Sequence, residues 1–261
     1  MNKDAPIGIF DSGVGGLSIW REINRLLPQE SSIYLADSKH APYGERPKDE
    51  IIRLSVKNTE VLVEEGCKLI VVACNTATTN AIDTLRSHYS IPFVGIEPAT
   101  KPAAIATRSG KIGVLATRGT LTSELFLSTS APYREEIEII ERVGAGLVPI
   151  IESGKLSEAR DLLKRYLEPM VAAGVDSIVL GCSHYPFLIE EIKAIVPSSI
   201  QIIDSGAPVA RRTAKLLQER NLLNDEGTAQ LRFYTNTNVE VLSSFLQRLD
   251  APPNEAQHLN F

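Results

Sequence analysis

The stretch Leu69-Ile70-Val71-Val72-Ala73-Cys74-Asn75-Thr76 limits the possible folds of this chain more than any other. Five apolar residues without polar alternation make a strand buried on both faces, as in a parallel sheet covered by helices. The run stops at a cysteine, after which Asn75 and Thr76 offer the short polar side chains that begin a helix. A thiol therefore stands at the carboxyl end of a strand, beside a helix N-terminus. Open α/β sheets bind their ligands at such ends, and helix N-termini stabilise thiolates. Taken alone, the same cysteine also fits ordinary packing, since free cysteines are among the most buried side chains.

The stretch is echoed downstream. Ser177-Ile178-Val179-Leu180-Gly181-Cys182-Ser183-His184-Tyr185-Pro186 again runs apolar residues into a cysteine followed by hydrogen-bonding side chains. The surroundings repeat too: Ile7-Gly8-Ile9-Phe10-Asp11-Ser12-Gly13 resembles Ile112-Gly113-Val114-Leu115-Ala116-Thr117-Arg118-Gly119. Cys74 lies 67 residues beyond Ile7, and Cys182 lies 70 beyond Ile112. A further strand follows each cysteine, at Pro92-Phe93-Val94-Gly95-Ile96 and at Gln201-Ile202-Ile203-Asp204. The chain reads as two copies of one α/β unit facing each other, each offering a thiol. The expected division is residues 1–98 with 209–261, carrying Cys74, and residues 99–208, carrying Cys182.

Composition narrows the function classes. A length of 261 residues leaves ample core for one large or two small domains. A net charge of −5 argues against nucleic acid and anionic membrane as main partners. No segment reaches the roughly 18 apolar residues of a membrane span, and the first six residues lack a signal-peptide core. Three cysteines, an odd number, suggest reduced thiols in the cytoplasm. No Cys-x-x-Cys or histidine cluster suggests a metal site.

Other residues carry weaker signals. Asp11 and Ser12 stand at the tip of the first strand, as ligand contacts or as caps of the following helix. Gly13 and Gly15, with Asp37 ending the next strand, half-match a dinucleotide fingerprint. Its third glycine is missing, and Asp11 would repel a pyrophosphate. The loop over 38–47, containing His40, Pro42, Tyr43 and Gly44, is a candidate binding lip, with His40 itself at the surface. A helix over 47–65 is expected to bury Ile52, Val56, Thr59 and Val63, and Gly66 ends it. Cys67 has no polar companions and reads as packing, while His88 and Glu152 read as solvated. A strand over 231–235 and a helix over 239–249 return to the first copy, and the tail from Ala251 reads as frayed.

Four segments together resemble the glutamate racemases of the aspartate/glutamate racemase family. They are Asp11-Ser12-Gly13-Val14-Gly15-Gly16-Leu17, Pro42-Tyr43-Gly44, Ala73-Cys74-Asn75-Thr76-Ala77 and Leu180-Gly181-Cys182-Ser183-His184-Tyr185-Pro186. The resemblance runs from Ile7 to about Arg211. It implies two pseudo-symmetric α/β domains, each with a mostly parallel sheet flanked by helices, and an active site in the cleft between them. It implies that Cys74 and Cys182 are the acid/base pair, that Asp11, Glu152 and His184 assist, and that no cofactor or metal is used. It also implies substrate contacts from Asp11, Ser12, Tyr43, Gly44, Asn75, Thr76, Ser183 and His184. A cytoplasmic homodimer that supplies D-glutamate for peptidoglycan is the matching expectation. One position departs: the family's usual Cys-Thr-His is Cys182-Ser183-His184 here, which keeps the hydroxyl and loses a methyl.

The chemistry gives two facing thiols a reason. Racemisation removes the α-proton from one face and returns a proton to the other, so two groups on opposite sides are the direct solution. One must start as thiolate and the other as thiol. Three alternatives remain open at this level. A thiol hydrolase would pair Cys74 with His184 and leave Cys182 structural. A nicotinamide-binding protein would use Gly13, Gly15 and Asp37. A related racemase would act on aspartate or hydantoin.

Overall fold

The structure is a computed structural model and describes residues 2–251 and 256–261. The chain opens with strand β1 (Ile7–Asp11), helix α1 (Leu17–Leu26), β2 (Ser32–Ala36) and α2 (Lys48–Glu64). It continues through β3 (Leu69–Val72), α3 (Asn75–His88), β4 (Phe93–Gly95) and α4 (Thr100–Ala106). The second unit holds β5 (Lys111–Ala116), α5 (Arg118–Leu121), α6 (Glu124–Ser130), β6 (Glu138–Val143) and α7 (Leu147–Glu152). It ends with α8 (Arg160–Ala172), β7 (Ser177–Gly181), α9 (Ile189–Lys193) and β8 (Gln201–Ile203). The chain then returns through α10 (Gly206–Glu219), β9 (Leu231–Thr235), α11 (Val239–Arg248) and β10 (Gln257–His258).

The repeat in the sequence becomes a repeat in topology. One sheet has the order β10-β9-β2-β1-β3-β4 and the other β6-β5-β7-β8, and every strand pair among the described residues is parallel. The order 2-1-3-4 in the first unit recurs as 6-5-7-8 in the second. In each, the chain reverses its direction of growth around a central strand, leaving a crevice at the carboxyl ends of β1 and β3 and of β5 and β7. Both cysteines follow the strand on the far side of such a crevice. The uninterrupted apolar run predicted for β3 is fully buried at all four positions.

The two units are not separate globules. One apolar cluster runs from Ile9 and Trp20 in the first, through Leu147 and Ile151, to Leu180 and Tyr185 in the second. Helix α10 lies against α1 and brings Val209, Ala210 and Leu217 into the same cluster. Burial of this kind is the main force that holds helices on sheets.

Several details differ from the sequence expectations. Helix α2 buries Ile51, Leu54, Ser55, Asn58, Thr59 and Leu62, while Val63 is exposed, so the inner face is turned by about one residue. Its neighbours carry mixed polar and apolar residues, and a weakly amphipathic helix leaves its rotation to tertiary packing. Strand β6 was not foreseen, because Glu138, Glu141 and Arg142 break its apolar pattern; it is an edge strand, where charge is tolerated. The tail expected to fray lies outside the described residues at 252–255. Beyond that gap it is ordered: Gln257 and His258 add a parallel strand to β9, and Ala256 is buried.

A buried ion pair ties the opposite end of the first sheet together. Lys68 Nζ lies 2.5 Å from Glu30 Oε2, with both side chains sealed from solvent. Lys68 Nζ also donates to the Lys3 carbonyl, and Glu30 Oε1 accepts the Asn224 N–H at 2.8 Å. Removing one partner of such a pair strands a buried charge. Lys68→Met should therefore cost about 3–5 kcal/mol of stability. The double variant with Glu30→Gln, which keeps an acceptor for Asn224, should recover part of that loss in urea unfolding. Equal midpoints for the wild type and Lys68→Met would show that the pair carries no stability.

Candidate active site

The two switch points meet at one enclosed cavity. Its walls are Ser12, Pro42, Tyr43, Gly44, Cys74, Asn75, Thr76, Thr117, Val148, Cys182, Ser183 and His184. Both thiols face it, with Cys74 4% and Cys182 5% exposed. The free space has room for about one water molecule. Of the expected contacts, Ser12, Tyr43, Gly44, Asn75, Thr76, Ser183 and His184 line it, and Asp11 does not. Asp11 and Glu152 stand one layer behind, each holding a wall residue.

Around Cys74 the surroundings are those of a thiol. Cys74 is itself the N-cap of α3, its sulfur accepting the Ala77 N–H at 3.4 Å; Asn75 and Thr76 do not fill that role. Its Sγ lies 3.7 Å from Ser12 Oγ. A helix N-terminus favours thiolate, but burial and the nearby Asp11 carboxylate outweigh it and push the Cys74 thiol well above its ordinary value.

Around Cys182 an imidazole takes over. His184 Nδ1 lies 3.8 Å from Cys182 Sγ, and Nε2 lies 2.6 Å from Glu152 Oε1. Glu152 is fixed in turn by the Val14 N–H at 2.7 Å and the Ser38 hydroxyl at 2.9 Å. Asp11 Oδ2 lies 3.9 Å from His184 Nδ1. Burial opposes charge on His184, but its hydrogen bonds to Cys182 and Glu152 and the Asp11 carboxylate prevail, raising it well above its ordinary value. Nδ1 is the ring atom turned toward the Cys182 sulfur. Both ring nitrogens are engaged away from Cys74, so the Cys74–His184 hydrolase pairing has no support in this geometry.

Asp11 joins the two sides. Its Oδ2 accepts the N–H groups of Gly13 at 3.2 Å and Gly16 at 3.0 Å, and its Oδ1 accepts the Ser183 hydroxyl at 3.1 Å. Complete burial raises its carboxyl, tempered by His184 and by the Gly16 N–H. Asn75 is the exception to this tight pairing. Both polar atoms of its amide are buried without a partner in the cavity wall. An unpaired buried amide is costly, and a polar ligand relieves it.

The glycines of the half-matched fingerprint have a different use. A methyl on Gly13 would overlap the Glu152 carboxylate, and one on Gly15 would overlap the His184 ring. They admit side chains of the second unit rather than a pyrophosphate. Asp37 is also unavailable to a ribose, being fully buried under Tyr43, His40 and Asn236. The predicted solvation of Glu152 is likewise overturned, because its side chain is only 15% exposed and points into the site.

Sequence reading missed the threonines of the second unit. Thr117 lines the cavity, and its Oγ1 lies 2.8 Å from Thr76 Oγ1, with Thr120 close by. The signal was present in the repeat, where Thr117 occupies the place of Ser12. Cys67 meets its packing expectation: it is buried beneath β1 and its thiol is pushed up to about 12, chiefly by burial. Among the described residues no group of three or more His, Cys, Asp or Glu side chains is arranged to hold a metal ion, and no helix is long and apolar enough to cross a membrane.

Duplicated parallel sheets with one enclosed site between them, lined by a thiol from each, define an internally repeated α/β enzyme. The chain belongs to the Asp/Glu/hydantoin racemase family, whose pattern covers residues 7–213. It is 49% identical over 226 residues to the glutamate racemase of Herpetosiphon aurantiacus, an overlap of 86% of this chain and 89% of that one. A crystal structure of a Bacillus anthracis glutamate racemase isoform superposes with a TM-score of 0.89 at 30% identity, covering 100% and 99% of the two chains. The Escherichia coli glutamate racemase, in complex with L-glutamate and the activator UDP-MurNAc-ala, gives 0.83 at 36% identity, covering 97% of each.

The raised His184 has a signed consequence for stability. A histidine charged more readily in the fold contributes stability that is complete below its ordinary value of about 6.5 and lost as pH rises through the folded value. The wild type should therefore exceed His184→Gln in stability most at pH 6 and least at pH 9. Urea midpoints of both proteins across that range check it. A gap that is constant or widens with pH would show a neutral imidazole.

Proposed function

We propose that this protein interconverts L-glutamate and D-glutamate by passing the α-proton between two cysteines, without a cofactor. One observation carries the reading: two thiols face a single closed cavity in opposite electrostatic settings. Burial and Asp11 push the Cys74 thiol up, and Cys182 lies 3.8 Å from the imidazole of His184, which is itself raised. Such a resting pair is set for L-glutamate. Cys182 thiolate takes the α-proton, so a C–H bond breaks and an S–H bond forms. Cys74 then gives its proton to the other face of the planar carbanion and becomes thiolate. D-glutamate reacts by the same steps in reverse.

The α-carbanion needs its adjoining carboxylate neutralised. The first backbone N–H groups of α3 and the unpartnered Asn75 amide are donors of the right kind beside Cys74. Exclusion of water strengthens each of these interactions. His184 and Asp11 are placed to carry protons between turnovers, and Glu152 keeps the imidazole oriented.

Glutamate, rather than aspartate or a hydantoin, is favoured by the activity named for the relatives over nearly their full length. With this reading go a homodimer in the cytoplasm and a supply of D-glutamate for peptidoglycan. Residues 1–98 with 209–261 and residues 99–208 would then act as the two bodies that part to admit substrate.

The test is substrate exchange in deuterated water, followed by mass spectrometry and circular dichroism with no added cofactor. Cys74→Ala and Cys182→Ala should each lose racemisation by at least about 10²–10⁴-fold, the usual worth of a positioned acid or base. Cys182→Ala should retain slow α-exchange only with D-glutamate, and Cys74→Ala only with L-glutamate. The exchange readout is needed because enantiomers have an equilibrium constant of one, so kcat/KM falls equally in both directions. Cys67→Ala should turn over normally. Full racemisation in either active-site variant would end the two-thiol reading.

A further inference from the structure

Asp37 is fully buried at the end of β2, yet it touches neither the cavity nor the reacting thiols. Its carboxylate gathers donors from three separate segments. Oδ2 accepts the Tyr43 hydroxyl at 2.5 Å, with the Asn58 amide at 3.5 Å. Oδ1 accepts the Asn236 amide at 2.5 Å and faces His40 Nδ1 at 2.6 Å and Lys57 Nζ at 3.5 Å. Asn236 extends the grip, since its Oδ1 accepts the Lys39 N–H at 2.9 Å. Behind it lies the ordered tail, where the Leu259 N–H donates to Thr235 and the Phe261 ring sits 5.3 Å from Lys57 Nζ.

Three of those contacts, from Lys39, His40 and Tyr43, hold residues 38–45. The same segment puts Tyr43 and Gly44 into the cavity wall, seats Gly44 against Thr117 of the second unit, and sends the Ser38 hydroxyl to Glu152. The Tyr43 hydroxyl is turned away from the cavity toward Asp37 and Asn58, so it orients the lip instead of meeting the ligand. A carboxylate that accepts so many hydrogen bonds in a buried place costs much to desolvate, and local packing alone does not require it.

We propose that Asp37 is the positioning residue of the substrate lip, holding residues 38–45 in their closed place through Tyr43 and Asn236 and so setting the affinity for the substrate. The proposal rests on the reading that the cavity takes glutamate. A lip that closes by contacts made before and after the chemical step alters binding of substrate more than the rate of proton transfer.

The experiment compares Asp37→Asn, Tyr43→Phe, Asn236→Ala and the Asp37→Asn/Tyr43→Phe double variant with the wild type. KM and kcat are read by circular dichroism with each enantiomer, and melting temperature is read alongside. Each single variant should raise KM about tenfold while kcat stays within about threefold. The double variant should be no worse than the poorer single, because Asp37 acts on the lip through the Tyr43 hydroxyl. Additive losses, an unchanged KM in folded variants, or a fall confined to kcat would each overturn the proposal. Should Asp37→Asn fail to fold, Tyr43→Phe decides alone, since it keeps the ring and removes only the hydroxyl; an unchanged KM there overturns it as well. A wild-type protein that racemises no glutamate would instead remove the functional reading, a distinct outcome.

Discussion

A charge buried beside a thiol must be balanced by neighbours buried with it, and at the junction of the two units four side chains satisfy one another. Glu152 holds one nitrogen of His184, and the other nitrogen faces Cys182 and the Asp11 carboxylate. Glu152 and Asp11 are each held from the opposite unit. Glu152 comes from α7 and is fixed by Val14 and Ser38, while Asp11 comes from β1 and receives Ser183. The apolar cluster that joins the units supplies the dry surroundings in which these contacts are strong.

Duplication explains why two thiols face one cavity, and its imperfection explains how they differ. The matching strand orders place Cys74 and Cys182 at equivalent points of equivalent sheets. Beyond those points the copies diverge. Cys74 begins a long helix and caps it, whereas Cys182 leads into a short 3-10 turn, Tyr185–Leu188, that His184 precedes. A symmetrical site would give both thiols the same proton affinity. The asymmetry gives the two thiols different neighbours, the Asp11 carboxylate near Cys74 and the His184 imidazole near Cys182.

Small residues make the junction possible. Gly13 and Gly15 leave space for Glu152 and His184, and Gly44 leaves space for Thr117. Hydroxyls of Ser18, Ser38, Thr76 and Ser183 then cross from unit to unit with short, easily remade hydrogen bonds. Two of these, from Ser38 to Glu152 and from Ser183 to Asp11, end on carboxylates and are the stronger for it. The Asp37 cluster is different in kind, its carboxylate being fully buried and tied to the rim of one unit.

The sequence by itself determined the inner strands, the duplication and the two thiols, because these follow from local pattern, whereas the edge strands β6 and β10 escaped it. An unbroken apolar run ending at a cysteine needs no distant information to be read as a buried strand with a thiol at its tip. Resemblance to a known family then named the side chains around it. Tertiary structure alone decided the partners. Val14 and Glu152 are 138 positions apart, and Asp11 and Ser183 are 172 apart, so no local pattern couples them. For the same reason Glu152 read as solvated and the tail as frayed. Glu152 is partly buried only because the fold brings it His184, and the tail is ordered only because the fold brings it the strand β9.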